Sequence, residues 1–277
     1  MLIKETSERS KNDNNIEKHI GRIPQIIQFN FEGASTSKDY VTCLIDRGLT
    51  NQPLSPETSS IELYDLIIKS EPYWLLKQEF AKILNVPWYY VIYNYSEGHC
   101  IVVNLSICTD RTLYFNSFEE FGKWFSRFAD VGERFSSYQE SGLPQFDVDL
   151  RKGGTPWPGN VDAVLYDKNT KQFISIVEYQ NTSKKSVAQH DNNDFMQTTP
   201  YRKGDGKRWR THYLLTKQSN LPVLVIVWSR TENQTNLKRI NSFDLDEKGY
   251  VSHINWGKTI LVPIESVSGE LLIDLMK

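Results

Sequence analysis

The sequence contains little cysteine, little net charge and no long hydrophobic run, and each shortage excludes a class of protein. The three cysteines, Cys43, Cys100 and Cys108, form neither an even disulfide set nor a zinc-ligand spacing. A net charge of −2 excludes a surface that is basic throughout, so any nucleic-acid-binding surface would have to be local. The apolar runs are too short to cross a bilayer, and residues 1–15 are too polar for a signal peptide. We therefore expect a cytoplasmic protein with buried or free thiols and no membrane partner.

Metalloprotease and nucleotide-binding motifs are missing as well. The histidines are scattered, without a His-Glu-X-X-His helix or a Cys/His cluster. No Gly-X-Gly-X-X-Gly or Walker pattern occurs, which argues against nucleotide-driven activity. His190 and Asp191 are neighbours in the sequence. Because adjacent side chains rarely face each other, we expect this pair on the surface rather than in acid–base catalysis.

Length and composition indicate a globular chain. Its 277 residues, 39% hydrophobic and 24% charged, suffice for one large domain or two smaller ones with a buried core. Strand and helix patterns mix along the chain, which predicts an α/β (α+β) fold with a mixed sheet flanked by helices. We predict a mobile tail over residues 1–17, an N-terminal α/β part over residues 18–116 and a core over residues 117–277.

Local patterns predict the elements of the N-terminal part. Ser59 and Glu62 form a capping-box pattern at the start of a helix, Ile61–Lys69. Pro72 suits the first turn of a second helix, Pro72–Leu84. The remaining expectations are an end to that helix at Asn85, a short helix at Lys38–Asp46, a strand or a helix within Ile20–Phe31, a hairpin of Trp88–Tyr95 with His99–Cys108, and a third strand at Arg111–Phe115.

The core shows equally clear patterns. Ser117 and Glu120 form a second capping box, aromatic residues at helical spacing continue that helix through Tyr138, and Gly142 can close it. The apolar run Leu221–Trp228 predicts a buried central strand. The other predicted elements are a helix at Trp209–Gln218, strands within Phe243–Trp256 and at Thr259–Ile264, and a closing helix at Glu270–Met276.

A hairpin in the middle of the core carries the most informative polar residues. Val161–Tyr166 and Phe173–Tyr179 have strand patterns, and the polar turn between them favours an antiparallel pair. Glu178 and Gln180 are two residues apart, so they share one face of the second strand. Asp162 would lie opposite them at the same end of the hairpin. Two carboxylates and an amide there predict a hard-oxygen site for Mg²⁺, with Mn²⁺ as a substitute.

The segment after this hairpin is locally basic. Between Lys184 and Arg210, seven basic and three acidic residues leave a local charge of +4. Its cations include Arg202, Lys203, Lys207, Arg208 and Arg210, interleaved with two glycines and a tryptophan. Glycines allow a backbone to approach phosphates and cations neutralise them, so phosphate contact and a solvated loop are both open.

Asp162, a gap of fifteen residues and then Glu178-Tyr179-Gln180 resemble the PD-(D/E)XK nuclease superfamily. Gln197-Thr-Thr-Pro-Tyr201 is similar to the Gln-X-X-X-Tyr element of its RecB-like members, and the resemblance covers about residues 118–230. It implies a restriction-endonuclease-like fold in which Asp162 and Glu178 ligate Mg²⁺. The usual lysine of the tripeptide is replaced by Gln180, a variant found in some active restriction enzymes of the family.

The resemblance implies a Mg²⁺-dependent endodeoxyribonuclease of the kind found among restriction and related defence enzymes. In it Gln180 would position the attacking water. Gln197 and Tyr201 would orient the site or a phosphate of the DNA, and the five cations from Arg202 to Arg210 would grip the DNA backbone. The N-terminal part would then serve target recognition or homodimerisation. The alternative is a nucleic-acid-binding module that kept the nuclease fold and lost catalysis.

Family members often add a glutamate from a helix ahead of the metal strands. Glu133 and Glu140 stand on the side of the predicted helix opposite its aromatic stripe. That position favours solvent exposure, so we assign neither glutamate as a metal ligand.

Overall fold

The structure is a computed structural model that describes residues 2–4, 15–106, 112–128, 144–152, 154–196 and 204–277. These residues form two mixed sheets, of six and five strands, with seven α-helices, which confirms the predicted α/β (α+β) class. Within the same ranges, no helix combines the length and the hydropathy needed to cross a membrane.

The elements follow the chain in this order. The strands are β1 Ile26–Phe31, β2 Gly33–Thr36, β3 Val41–Leu49, β4 Trp88–Asn94, β5 His99–Asn104, β6 Thr112–Phe115, β7 Val161–Asp167, β8 Gln172–Asn181, β9 Val223–Trp228, β10 Gln234–Leu245 and β11 Val251–Pro263. The helices are α1 Asn15–Ile20, α2 Ser60–Ser70, α3 Trp74–Leu84, α4 Phe118–Phe125, α5 Gln145–Lys152, α6 Gly206–Ser219 and α7 Gly269–Met276. Short 3₁₀ turns lie at Ser126–Phe128, Asn192–Phe195 and Ile264–Ser266.

The chain forms two compact units. Unit 1 comprises Met1–Asn12 and Phe31–Asn160, and unit 2 comprises Asp13–Asn30 and Val161–Lys277. This division differs from the predicted one on two counts. The helices α4 and α5 pack with unit 1, because their aromatic and aliphatic side chains share a core with β3, β4 and β5. Residues 15–17 begin a helix instead of belonging to a tail, since Ile16 is fully buried in the core of unit 2.

Unit 1 is built on a five-stranded sheet in the order β2-β3-β4-β5-β6. Its strands β3 and β4 are parallel and are connected through α2 and α3, whereas the other neighbours are antiparallel. The predicted end of α3 is confirmed: Asn85 has a left-handed backbone (φ 55°) and its N–H donates to the last turn. The predicted helix at Lys38–Asp46 is wrong. Those residues lead into β3, a central strand buried on both faces, which lacks the alternation that reveals exposed strands.

Other local predictions for unit 1 have mixed outcomes. Gly98 turns the predicted hairpin of β4 and β5 with a φ of 68°, and β6 is the predicted third strand. Ser117 caps α4 through its hydroxyl as expected, whereas Ser59 makes no side-chain cap bond to α2. The helix α4 ends at Phe125 and a 3₁₀ turn follows to Phe128, whereas the rest of the predicted helix, with Glu133 and Glu140, lies outside the described residues.

Cysteine burial follows from the same sheet. Cys43 on β3 and Cys100 on β5 are buried thiols, and burial raises the pKa of Cys43 to about 12. Neither thiol therefore has the thiolate character of a reactive cysteine. Cys108 lies outside the described residues.

A buried charge cluster ties the helices of unit 1 to its sheet. The Nζ of Lys77 on α3 is 2.9 Å from Asp46 Oδ2 and 2.8 Å from Glu71 Oε2, and all three side chains are almost fully buried. The indole of Trp88 also donates to Asp46 Oδ2 at 2.9 Å. Burial alone would lower the pKa of Lys77, but the two carboxylates raise it, so the amine stays charged.

Replacing Lys77 by methionine should destabilise the protein by about 3–5 kcal/mol, because Asp46 and Glu71 would lose their buried counter-charge. Urea unfolding followed by circular dichroism measures the change. Lys82→Met is the matched control, since Lys82 is exposed on the same helix. A Lys77→Met protein as stable as that control would show that the cluster contributes nothing net to folding.

Unit 2 is built on a six-stranded sheet in the order β1-β7-β8-β9-β10-β11. The strands β7 and β8 are antiparallel, β8 and β9 are parallel with α6 between them in the chain, and β9, β10 and β11 are antiparallel. The predicted buried central strand is confirmed, because every residue of β9 is buried. Side chains of α1 and α7 cover one face of this sheet. The other face carries Glu178 and Gln180, and α6 supplies their helical neighbours.

Candidate active site

The register of the β7–β8 hairpin brings the three predicted site residues together. Backbone pairing runs from Asp167 with Gln172 to Ala163 with Val177. One step further along, Asp162 stands opposite Glu178 on the same face of the sheet, and the period of two places Gln180 there too. Both strands match their predicted positions to within two residues. Strand pattern and turn chemistry therefore suffice to produce this convergence.

At the end of the hairpin, the side chain of Asp162 accepts a backbone N–H in place of a backbone carbonyl. Its Oδ2 accepts the N–H of Tyr179 at 2.8 Å. The Tyr179 side chain points to the opposite face, where its hydroxyl donates to Gln28 Oε1 on β1 at 2.9 Å. The end of β8 is thus fixed from both faces, which holds the carboxyl group of Asp162 in one orientation.

Glu178 is the most enclosed acidic group of the site. It is 1% exposed, and its Oε1 accepts hydrogen bonds from Arg208 Nη2 and from Gln180 Nε2. Its Oε2 lies 3.1 Å from His212 Nε2. A carboxylate removed from water requires such partners, because an isolated charge in the interior is strongly disfavoured.

The helix α6 supplies two of these partners from consecutive turns. Arg208 and His212 are four residues apart, so they share one side of the helix. Close packing at the start of α6 needs a glycine, because a Cβ on Gly206 would lie 2.3 Å from the carbonyl oxygen of Val251. At its other end, Asn220 closes the helix with a left-handed backbone (φ 59°).

The His212 ring is packed between Glu178 and Trp209. The side chain is 3% exposed, and the Trp209 ring lies 5.0 Å away. Its Nε2 lies within ion-pair range of Glu178 Oε2, whereas Nδ1 has no hydrogen-bond partner among the described residues.

Asp162 and Glu178 face each other at the end of the hairpin, so each carboxyl group influences the pKa of the other. Burial, followed by the negative charge of Glu178, raises the pKa of Asp162 well above its usual range. Burial would also raise the pKa of Glu178, but Arg208 and His212 outweigh it and lower that pKa. The partners from α6 thus oppose the effect of burial at Glu178, whereas the charge of Glu178 adds to the effect of burial at Asp162.

A lysine on the same face of the sheet, Lys238, contacts groups other than Glu178. Val225 on β9 pairs with Glu178 on β8 and with Lys238 on β10. The side chains of these three residues therefore point to the same face of the sheet. Its Nζ donates to the carbonyl of His190 at 3.2 Å and lies 3.7 Å from the centre of the Trp256 ring. The positive charge beside Glu178 comes from Arg208.

His190 itself is misplaced by the sequence prediction. It is 7% exposed and packs on the Phe195 ring, whereas a surface position was expected. The reason is the course of the chain directly after β8, where residues 187–193 pack against β10 and β11 of the same sheet. Asp191 takes part in the same packing by accepting the indole N–H of Trp256 at 3.0 Å.

The predicted basic cluster is divided by the geometry of α6. Lys207 and Arg208 are exposed, whereas Arg210 is 8% exposed with its guanidinium 5.7 Å from the Tyr250 ring. A separation of two residues turns a side chain roughly 200° around a helix, so Arg208 and Arg210 point to different sides. Four of the other predicted contact residues, Gln197, Tyr201, Arg202 and Lys203, lie outside the described residues.

Sequence reasoning missed His212 as a site residue and assigned Arg208 only to DNA. The available signal is the spacing of four between Arg208 and His212. In a helix that starts at Gly206, this spacing places both side chains on the same side. The predicted helix began at Trp209, so Arg208 fell outside it.

The donor set fits a magnesium ion that keeps water or substrate ligands. Within the described residues, no group of three or more His, Cys, Asp and Glu side chains is arranged to hold a metal ion. Mg²⁺ commonly needs only one or two protein carboxylates and completes its shell with water and phosphate oxygens. The carboxyl groups of Asp162 and Glu178 meet that requirement. Burial and the charge of Glu178 raise the pKa of Asp162, and a divalent cation bound here would lower it.

Comparison with protein-family models, with curated proteins and with solved structures finds no match to this chain. The likeness to the PD-(D/E)XK superfamily therefore rests on the residues and on the arrangement of the hairpin alone.

Asp162→Asn should stabilise the metal-free protein at neutral pH, by about 1 kcal/mol. The pKa of Asp162 is higher in the folded protein than in the unfolded chain, where it is about 4. The wild-type protein therefore loses stability as the pH rises above about 4. The amide removes that loss, while its oxygen still accepts the Tyr179 N–H. Thermal unfolding of both proteins between pH 4 and 8 measures the difference, which should grow with pH. A variant less stable than wild type at pH 8 would contradict the assigned cost of ionising Asp162 in the folded protein.

Proposed function

We propose that the chain is a Mg²⁺-dependent endodeoxyribonuclease of the PD-(D/E)XK type. The observation that carries this proposal is the convergence of two carboxyl groups, Asp162 and Glu178, with the Gln180 amide at one end of a mixed sheet. Two acidic residues on adjacent strands whose pKa values are shifted in opposite directions are more typical of a catalytic site than of a structural one. The proposed substrate is DNA, and the proposed compartment is the cytoplasm.

Asp162 and Glu178 would hold the metal, and Gln180 would position the attacking water beside it. When bound, Mg²⁺ would lower the pKa of a water molecule and offset the negative charge that builds up on the phosphate. The chain's own contribution is orientation. Tyr179 fixes Asp162 through its backbone N–H, and the sheet register fixes Glu178 opposite it.

Gln180 occupies the position where the family usually has lysine. Its Nε2 donates to Glu178 Oε1, so the amide now orients the carboxylate. An amide has donors and an acceptor but no charge, so it can position the attacking water without stabilising negative charge. The charge would have to come from elsewhere in the site.

Arg208 is the side chain placed to supply that charge. It contacts Glu178, and about half of its side chain faces solvent. An arginine fork suits phosphate oxygens as well as carboxylates, so the same group can contact the DNA backbone. Lys207, exposed beside it on α6, extends this cationic edge. The roles predicted for Gln197, Tyr201, Arg202 and Lys203 remain part of the proposal.

The second candidate function is a nucleic-acid-binding module without catalysis. It is favoured by the ion pair between Arg208 and Glu178, which satisfies the buried carboxylate without any metal. The two functions differ in their response to divalent cations, because a binding module would retain its DNA affinity but would cut nothing. Target recognition or homodimerisation stays the proposal for residues 18–116.

Asp162→Ala and Glu178→Ala should each reduce Mg²⁺-dependent nicking of plasmid DNA by more than about 100-fold, because even the outer partners of metal ligands typically contribute about 10- to 100-fold. Gel analysis of supercoiled plasmid, with Mg²⁺ and then Mn²⁺, measures the rates. Glu247→Ala is the matched control, since Glu247 is exposed in the β10–β11 turn. Wild-type rates in both site variants would rule out this site, and an inert wild type would favour the binding module.

Gln180→Ala should slow cleavage by roughly 10- to 100-fold while metal and DNA binding persist, because only the positioning of the water and of Glu178 is lost. Gln180→Lys separates the two candidate functions. In an active nuclease the wild type cuts and the alanine variant is impaired. If the wild type is inert and only the lysine variant cuts, the chain has lost its chemistry at this position.

A further inference from the structure

The ion pair at Glu178 is strongly asymmetric in its exposure to water. The Glu178 side chain is 2% exposed, whereas that of Arg208 is 51% exposed. The carboxylate is fixed within the sheet, while the guanidinium reaches it from the solvent side. Of the two partners, only the arginine can leave without exposing the interior of unit 2.

The oxygens of Glu178 have little capacity left for another partner. Oε1 accepts from both Arg208 and Gln180, which uses the two lone pairs of that oxygen. Oε2 faces His212 at 3.1 Å. A divalent cation that is to be ligated by Oε1 must therefore displace one of the groups already there.

Arg208 is the group most easily displaced. His212 is 3% exposed and enclosed by packing, and Gln180 belongs to the same strand as the carboxylate. Arg208 lies in the first turn of α6 on a long side chain. Its positive charge would also repel an incoming cation, whereas the neutral Gln180 amide would not.

We propose that Arg208 is a displaceable counter-ion, whose guanidinium occupies Glu178 Oε1 in the metal-free protein and competes with a divalent cation for that oxygen. This inference rests on the metal site of the proposed function. It adds that the chain neutralises its own site when no metal is present, at the expense of metal affinity. Metal binding directs the guanidinium outwards, to the side from which a phosphate group would approach.

The competition makes a prediction that needs neither DNA nor catalysis. Removing the arginine should strengthen metal binding, whereas removing an ordinary supporting residue of a metal site weakens it. Mn²⁺ is the probe, and electron paramagnetic resonance of the unbound ion gives the dissociation constant for the full-length protein. We expect Arg208→Ala to bind Mn²⁺ at least about tenfold tighter than wild type, a difference of about 1.4 kcal/mol.

Two further variants guard this comparison. Arg208→Gln removes the charge but keeps a hydrogen-bond donor for Glu178, so it should fold where the alanine variant does not, and it should also bind Mn²⁺ more tightly. Lys217→Ala removes an exposed cation from the last turn of the same helix and should leave the affinity at the wild-type value. Adding Asp162→Ala to either Arg208 variant should abolish the gain, which places the bound ion at the acidic pair.

The outcomes separate this inference from the proposed function. Equal or weaker Mn²⁺ binding by the folded Arg208 variants overturns the competition, and plasmid nicking by the wild type would show that the nuclease proposal survives. Tighter binding by both variants supports the competition. If no form then nicks plasmid, the nuclease proposal alone fails. Absence of Mn²⁺ binding in every form overturns both.

Discussion

Two carboxyl groups on adjacent strands, turned to the same face of a sheet and removed from water, cannot both carry a full charge without a cation beside them. Asp162 and Glu178 are in this position because the hairpin register leaves no other arrangement. Burial and the charge of Glu178 raise the pKa of Asp162, and Arg208 offsets the charge of Glu178. The placement of α6 is part of this solution, since the same helix that connects β8 to β9 delivers the arginine and His212 to the pair.

Those parts of the site that depend on short-range pattern could be predicted from the sequence. Alternation along β7 and β8, and a polar turn between them, fix which side chains share a face, so Asp162, Glu178 and Gln180 converge as expected. The apolar run of β9 identifies a central strand for a similar reason, because burial on both faces leaves no place for polar residues.

Features that depend on packing between distant segments could not be predicted in the same way. The contact of Arg208 with Glu178 joins residues thirty apart in the chain, and its geometry depends on the point at which α6 begins. A one-turn error in a helix start also hides which cations share a side, so Arg210 was grouped with Arg208 although it packs on Tyr250. The strand β3 was mistaken for a helix because a strand buried on both faces loses its alternation.

The interruption of unit 2 by unit 1 has a consequence for the order of events during synthesis. The strand β1 leaves the ribosome well before β7, its neighbour in the sheet, because Phe31–Asn160 must be made in between. Unit 1 can close its core during that interval, since nearly all of it is contiguous. The newborn β1 has to wait with an unpaired edge, a state that invites association with other chains. The acidic pair exists only after β8 emerges, and its counter-ion arrives later still with α6. A nascent chain therefore passes through a stage in which Glu178 has been made and Arg208 has not.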